Sequence, residues 1–179
     1  MCIRDRCLEA EVSFEIVTVD DQSTDGSRLI LQEFVTKNDE VHYVENITES
    51  GFGNAVQIGL SNMTGDAAVI FMADQSDNPH DLVTYWEKLN EGYDCVFGSR
   101  FIKGGRVTDY PLPKLILNRL ANKFIQLIFG IRLNDTTNAF KAYRKEVIEG
   151  CKPLLSPHFN LTVELALSLI HISEPTRPY

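Results

Sequence analysis

Two short apolar segments of this 179-residue chain end in carboxylates, and the repetition is what points to chemistry. Phe14 to Val19 stops at Asp20 and Asp21, and Ala67 to Met72 stops just before Asp74 and Asp77. Runs of apolar and β-branched residues closed by turn formers read as strands. In an open α/β sheet, ligands bind in the crevice beyond the carboxyl ends of the strands. Acids brought together at that edge can hold a divalent cation through oxygen ligands, leaving coordination positions for substrate phosphates. Taken singly, Asp20, Asp25 and Asp77 would each be explained by capping a helix or closing a turn. Their recurrence at strand ends favours a diphosphate site.

The elements that would position these acids follow in a regular order. Ser23 to Ser27 supplies turn and cap residues, and helical spacing follows from Arg28 to Phe34. Val41 to Val44 reads as a strand. Gly51-Phe52-Gly53 leads into a helix over Asn54 to Asn62, and Asn78, Pro79 and Asp81 open another that carries Trp86 toward the core. Tyr93 to Phe97 is a further strand, closed by Gly98-Ser99-Arg100. Strands alternating with helices predict a doubly wound, mostly parallel α/β sheet. Lys114 to Phe129 is an amphipathic helix studded with Lys114, Arg119 and Lys123. Such a stripe either faces a core or lies in a membrane interface.

Composition bounds the rest. A chain that is 44% hydrophobic can bury one sizeable core, and its length suits a single domain. A formal charge of -8 excludes a general affinity for nucleic acid, so a phosphate-bearing ligand needs a local basic cluster or a metal. No apolar run has the roughly 18 residues of a membrane span, and no signal peptide opens the sequence, which predicts cytosolic synthesis. Cys2, Cys7, Cys95 and Cys151 are scattered, and His42, His80 and His158 lack metal-site spacing. Residues 1–6 and 167–179 resemble the translated ends of a transposon-type sequencing adapter, so the expected native domain is 7–166. Two familiar motifs fail on inspection. The dinucleotide fingerprint lacks its third glycine at Val56, and an aspartyl-phosphatase motif lacks its second acid at Gln22.

Longer stretches carry a specific resemblance. VDDQSTDGS resembles the VDDGSTDGT segment of family 2 glycosyltransferases, and GFGNAVQIGLSNMTGDAAVIFMADQSDNP is similar to their GxGxAxxxGxxxAxGDxxxxxDADxxxxP stretch. YDCVFGSRFIKGG, the pair Asn118-Arg119 and DTTNAFKAYR resemble further elements in the same order, most like those of polyprenol-phosphate (dolichol-phosphate) mannosyl- or glucosyltransferases. The resemblance implies a GT-A fold lacking its first strand, and a fragment with little or no activity. It implies Mg2+ or Mn2+ held by Asp74 and Asp77, a donor of the GDP-mannose or UDP-glucose type, and a lipid-phosphate acceptor at the cytoplasmic face of a membrane.

Residue by residue, the resemblance makes Asp20, Asp21, Gly53 and Ser99 donor-binding positions and Arg100, Arg106 and Arg119 phosphate contacts. Asp135 and Lys141 fall in the acceptor-side element, with Lys141 standing where the family carries Arg. Met72 occupies the first acid of the family's DAD triplet, so the metal rests on Asp74 and Asp77. A phosphate acceptor is already anionic, whereas a hydroxyl would need Glu164 or Asp135 as base. The rivals are a phospho-accepting receiver domain and an inactive glycosyltransferase-like binding protein.

Overall fold

A computed structural model describes residues 2–102, 105 and 110–173, with backbone alone over 170–173. Helix α1 (Ile3–Glu9) precedes β1 (Ile16–Asp20), α2 (Ser27–Lys37) and β2 (Val41–Glu45). The β1 and β2 strands pair in parallel, from Ile16 opposite Val41 to Asp20 opposite Glu45, so two acidic strand ends share one edge. The crossover helix α2 leaves Leu29 and Ile30 in solvent. Helix α3 (Phe52–Asn62) packs on β1, where a Cβ at Gly59 would lie 3.3 Å from the Val19 side chain.

The second half adds β3 (Ala67–Ile70), α4 (Pro79–Asn90), β4 (Cys95–Phe97), α5 (Leu112–Phe129), β5 (Lys141–Arg144), α6 (Lys145–Cys151) and α7 (Leu161–Ser173). Strand β5 inserts between β3 and β4 and runs antiparallel to both, so those two strands remain parallel to each other. The sheet is therefore mixed, and β1–β2 forms a separate hydrogen-bonded pair among the described residues.

Helix α4 starts as its sequence dictates. The Asn78 side chain accepts from His80 N at 3.1 Å, Pro79 occupies the first turn without needing a partner for its nitrogen, and Asp81 faces the positive end of the helix. It buries Tyr85 and Leu89, while Trp86, expected in the core, is 41% exposed. The rotation follows from Tyr85, whose ring stacks on Phe140 at 4.5 Å and whose hydroxyl donates to the Phe140 carbonyl.

The main core joins Leu60 and Tyr143 to Ile148, Leu161 and Leu165. Each fully buried Leu or Ile there contributes roughly 1.5–3 kcal/mol relative to exposure. All four cysteines are free. No described helix is long and apolar enough to cross a membrane.

Candidate functional site

The acids at the end of β1 are absorbed into the fold. Asp20 is buried and accepts from Ser23 N at 3.0 Å, from the Tyr43 hydroxyl at 3.0 Å and from Arg28 Nε at 3.3 Å. The Ser23 hydrogen bonds, ahead of those from Tyr43 and Arg28, lower its pKa from 3.8 to about 2. These contacts engage both carboxylate oxygens, so Asp20 shapes the turn. Asp21 is half-buried and accepts from Asn46 Nδ2 at 2.6 Å, Ser50 Oγ at 2.9 Å and Gly51 N at 3.0 Å, tying β1 to the start of α3. Gln22 follows with φ of 66°, a left-handed conformation that side chains adopt at a cost. That angle explains why the resembling motif has glycine there.

Gly53 is a close-packing position in this structure. It is buried, and a Cβ on it would meet the Ser156 carbonyl at 2.1 Å and the Pro157 carbonyl carbon at 2.6 Å. The bare Cα lets α3 seat against residues 156–158, where Asn54 N donates to the Pro157 carbonyl at 3.1 Å. Glu164 holds the other side of that loop by accepting from Leu155 N at 2.7 Å and Ser156 N at 2.8 Å. It is thus occupied as a loop anchor and not poised as a base.

The acids after β3 are different, because they stay open. Asp74 is exposed and accepts from Ser76 N at 3.0 Å, and hydrogen bonds from the Ser76 side chain and then its backbone lower its pKa. Gln75 beside it has φ of 62°, a second non-glycine residue in the left-handed region directly after a strand-end acid. Asp77 is half-buried and accepts from Met72 N at 3.1 Å. Burial raises its pKa first, and the nearby charge of Asp74 pushes it further up while Arg100 pulls it back. Asp74 and Arg100 therefore each lie within electrostatic reach of Asp77.

Arg100 belongs to a second built cluster. Its Nε and Nη2 donate to Asp135 at 2.8 and 2.7 Å, its backbone N donates to the same carboxylate at 3.1 Å, and Nη2 also reaches Thr137 Oγ1 at 3.1 Å. This bidentate fork fixes the guanidinium in one orientation. Asp135 is itself 3% exposed, so it has no open face toward an acceptor hydroxyl. In this structure its carboxylate holds Arg100.

Lys141 is likewise sealed, with Nζ donating to the carbonyls of Thr136 and Thr162 at 2.7 and 2.6 Å and lying 5.1 Å from the Phe97 ring centre. Burial drives its pKa down to about 7. It props the Asp135–Thr137 loop from behind. Ser99 caps the turn by accepting from Phe101 N at 3.1 Å.

Sequence reasoning overlooked Phe101, whose ring receives two cations. Arg100 stands 5.4 Å from its centre and Arg119, projecting from α5, stands 5.3 Å away. Arg119 is exposed and forms no ion pair among the described residues, so its charge is open to an anion. Arg106, also expected at phosphate, lies outside the described residues. Asn122 was overlooked as well. It is buried, accepts from Thr136 N at 2.7 Å and from Thr136 Oγ1 at 2.8 Å, and donates to Asn118 Oδ1 at 2.8 Å. The signal was the four-residue spacing of Asn118, Asn122 and Gln126 along one helix face.

The structure therefore brings Asp74, Asp77, Arg100 and Asp135 into one neighbourhood. No hydrogen bond or ion pair among the described residues joins this group to Asp20 or Asp21. No group of three His, Cys, Asp or Glu side chains that could hold a metal occurs there either. Two carboxylates completed by substrate phosphates are enough for Mg2+, which is commonly bound in that way. An open apolar groove of about 440 Å³, lined by Phe97, Ile131, Arg132, Leu133 and Leu169, touches none of these acids.

Residues 5–151 match the profile of Glycosyl transferase family 2. The chain is 32% identical over 138 residues to a polyprenol monophosphomannose synthase of Mycolicibacterium smegmatis, covering 75% of this chain and 52% of that protein. It is 31% identical over 159 residues to a dolichol-phosphate mannosyltransferase of Pyrococcus furiosus, covering 87% and 44%. It thus spans about half the length of the curated relatives it matches. A glucosyl-3-phosphoglycerate synthase of Mycobacterium tuberculosis, solved with Mn2+ and UDP-glucose, superposes with a TM-score of 0.58 at 18% identity over 87% of this chain and 53% of that one. The same enzyme with phosphoglyceric acid gives 0.59 at 19% identity over 89% and 54%. These likenesses establish the GT-A fold.

Proposed function

Since this chain belongs to glycosyl transferase family 2, we propose that it is part of an enzyme that passes a hexose from a nucleotide diphosphate sugar to a polyprenyl or dolichyl phosphate. The donor is of the GDP-mannose or UDP-glucose type, and transfer takes place at the cytoplasmic face of a membrane. The observation that carries this is the pairing of open carboxylates with fixed guanidinium groups, Asp74 and Asp77 beside Arg100, with Arg119 across the Phe101 ring. Family membership sets aside the receiver-domain alternative, which has no use for that pairing.

The step breaks the bond between the anomeric carbon and the donor diphosphate and forms one from that carbon to an acceptor phosphate oxygen. Negative charge gathers on the departing diphosphate. Arg100 is already oriented by Asp135, so its guanidinium meets that charge without reorganising. Asp74 and Asp77 would hold Mg2+ or Mn2+, which when bound supplies Lewis-acid stabilisation of the same leaving group. Arg119 is free to receive the acceptor phosphate, whose oxygen is anionic and needs no base. The burial of Asp135 and the engagement of Glu164 agree with an acceptor that has no proton to lose. The names of the two curated relatives support the lipid phosphate and the mannosyl donor.

In the protein that carries this segment, label from GDP-mannose or UDP-glucose should appear in an organic-extractable product when polyprenyl phosphate and Mn2+ are supplied. Transfer only to water-soluble hydroxyl acceptors would contradict the proposal.

A further inference from the structure

Residues 131–140 run from α5 to β5 without helix or strand, so the loop that carries Asp135 and Thr137 has to be placed by side chains. One face of α5 supplies them as amides at a spacing of four, which brings Asn118, Asn122 and Gln126 into line. Along that line Asn118 Nδ2 donates to Thr137 Oγ1 at 3.1 Å, and Gln126 Nε2 donates to the Leu133 carbonyl at 2.7 Å. Between them Asn122 Oδ1 accepts from Thr136 N at 2.7 Å and from Thr136 Oγ1 at 2.8 Å. The loop thus folds back along the helix that precedes it.

Asn122 is the most deeply buried of the three, at 2% exposure. A backbone N–H can only donate, so the contact with Thr136 N fixes which way the Asn122 amide points. Its Nδ2 then reaches Asn118 Oδ1 at 2.8 Å and the Asn118 carbonyl at 3.0 Å. Thr136 is fully buried and is gripped from the other side as well, where Lys141 Nζ donates to its carbonyl at 2.7 Å. The neighbours of Thr136 carry the consequence. Asp135 receives the Arg100 fork, and Thr137 Oγ1 accepts from Arg100 Nη2 at 3.1 Å. A buried network whose members are all satisfied specifies one geometry, and deleting one member leaves its partners unpaired.

We propose that Asn122 is a positioning residue for sugar transfer: by clamping Thr136 it holds Asp135 and Thr137, and through them the Arg100 guanidinium, in the orientation that meets the departing diphosphate. The assignment deepens the reading of this site as a sugar transferase and rests on it. Asn122 and Arg100 share no hydrogen bond among the described residues, so the influence passes through the loop. It falls on the step in which charge gathers on the leaving group, and less on capture of the donor.

Two measurements separate this role from a merely structural one. The first uses the chain alone and follows by heteronuclear NMR the Arg100 Nε–H, which donates to Asp135 at 2.8 Å. Its exchange with solvent should be at least about tenfold faster in Asn122→Ala than in the wild type, while the β1–β2 amides keep their protection within about twofold. The second uses the protein that carries this segment, assayed for transfer to polyprenyl phosphate. Asn122→Ala should lower kcat about tenfold with the donor KM changed less than about threefold, and in an Arg100→Ala background the loss should shrink below about twofold. Thr136→Val deletes only the hydroxyl bond, so it should show the same two effects at about threefold and serves where Asn122→Ala does not fold. An Arg100 Nε–H as well protected in both variants as in the wild type would overturn the positioning role, as would losses that multiply in the double variant. Absence of transfer by the wild-type protein would instead overturn the sugar-transfer reading, and the exchange rates would still show whether Asn122 holds Arg100.

Discussion

Asp77 shows how the site trades stability for chemistry. Burial and Asp74 together raise its pKa above 3.8, so the ionised carboxylate costs the fold free energy at every pH above its folded pKa and nothing below 3.8. An Asp77→Asn variant keeps an acceptor for Met72 N and removes the charge. Its melting temperature at neutral pH should equal or exceed that of the wild type, by the equivalent of up to about 1 kcal/mol. A drop of several degrees in calorimetry would mean the carboxylate is structural.

Asp20 behaves in the opposite way. Its folded pKa of about 2 lies below 3.8, so its contribution is complete above pH 3.8 and disappears as pH falls toward 2. Urea denaturation should show part of the acid loss of stability in that window, and Asp20→Asn should flatten that limb at a cost of roughly 1–3 kcal/mol at neutral pH. Both aspartates were conspicuous in the sequence as strand-end acids, but their opposite roles were not. Whether a carboxylate turns inward or outward depends on partners such as Tyr43 and Ser23, and Tyr43 comes from another strand.

Among the elements, α3 is fixed by the absence of a side chain. Gly53→Ala would drive a Cβ into backbone atoms of Ser156, Pro157 and His158 at 2.1–2.8 Å. Because backbone cannot rotate out of the way, the change should cost roughly 2–4 kcal/mol, read as a lowered urea midpoint, and free the 156–158 loop to hydrogen exchange. Near wild-type stability would show that the loop is loosely seated. Periodicity and punctuation made most elements legible. Asn78-Pro79 announced α4, and the β-branched run before Asp20 announced β1. Strand β5 was hidden because Lys141 and Arg144 bound a four-residue segment that looks like a polar turn, and only burial between β3 and β4 makes it a strand. Trp86 was misplaced because a helical pattern gives the period without the phase.

At the scale of the molecule, matched motifs carried the family and fold, since several of them fall at strand ends even though β5, last in the chain, sits between β3 and β4 in the sheet. What they could not convey is depth. Asp135, Lys141 and Asp20 match motif positions yet sit behind the surface, where they hold Arg100, its loop and the β1 turn, while Asp74, Asp77, Arg100 and Arg119 meet solvent. The proposed transfer requires those outward groups to receive a diphosphate together with a divalent cation. Isothermal titration of the chain with GDP and with UDP, with and without Mn2+, tests it most directly when repeated on Asp74→Ala. The expected result is binding of at least one nucleotide that requires Mn2+ and weakens at least about tenfold in the variant, with circular dichroism unchanged. Equal affinity in wild type and variant, or binding indifferent to Mn2+, would contradict it.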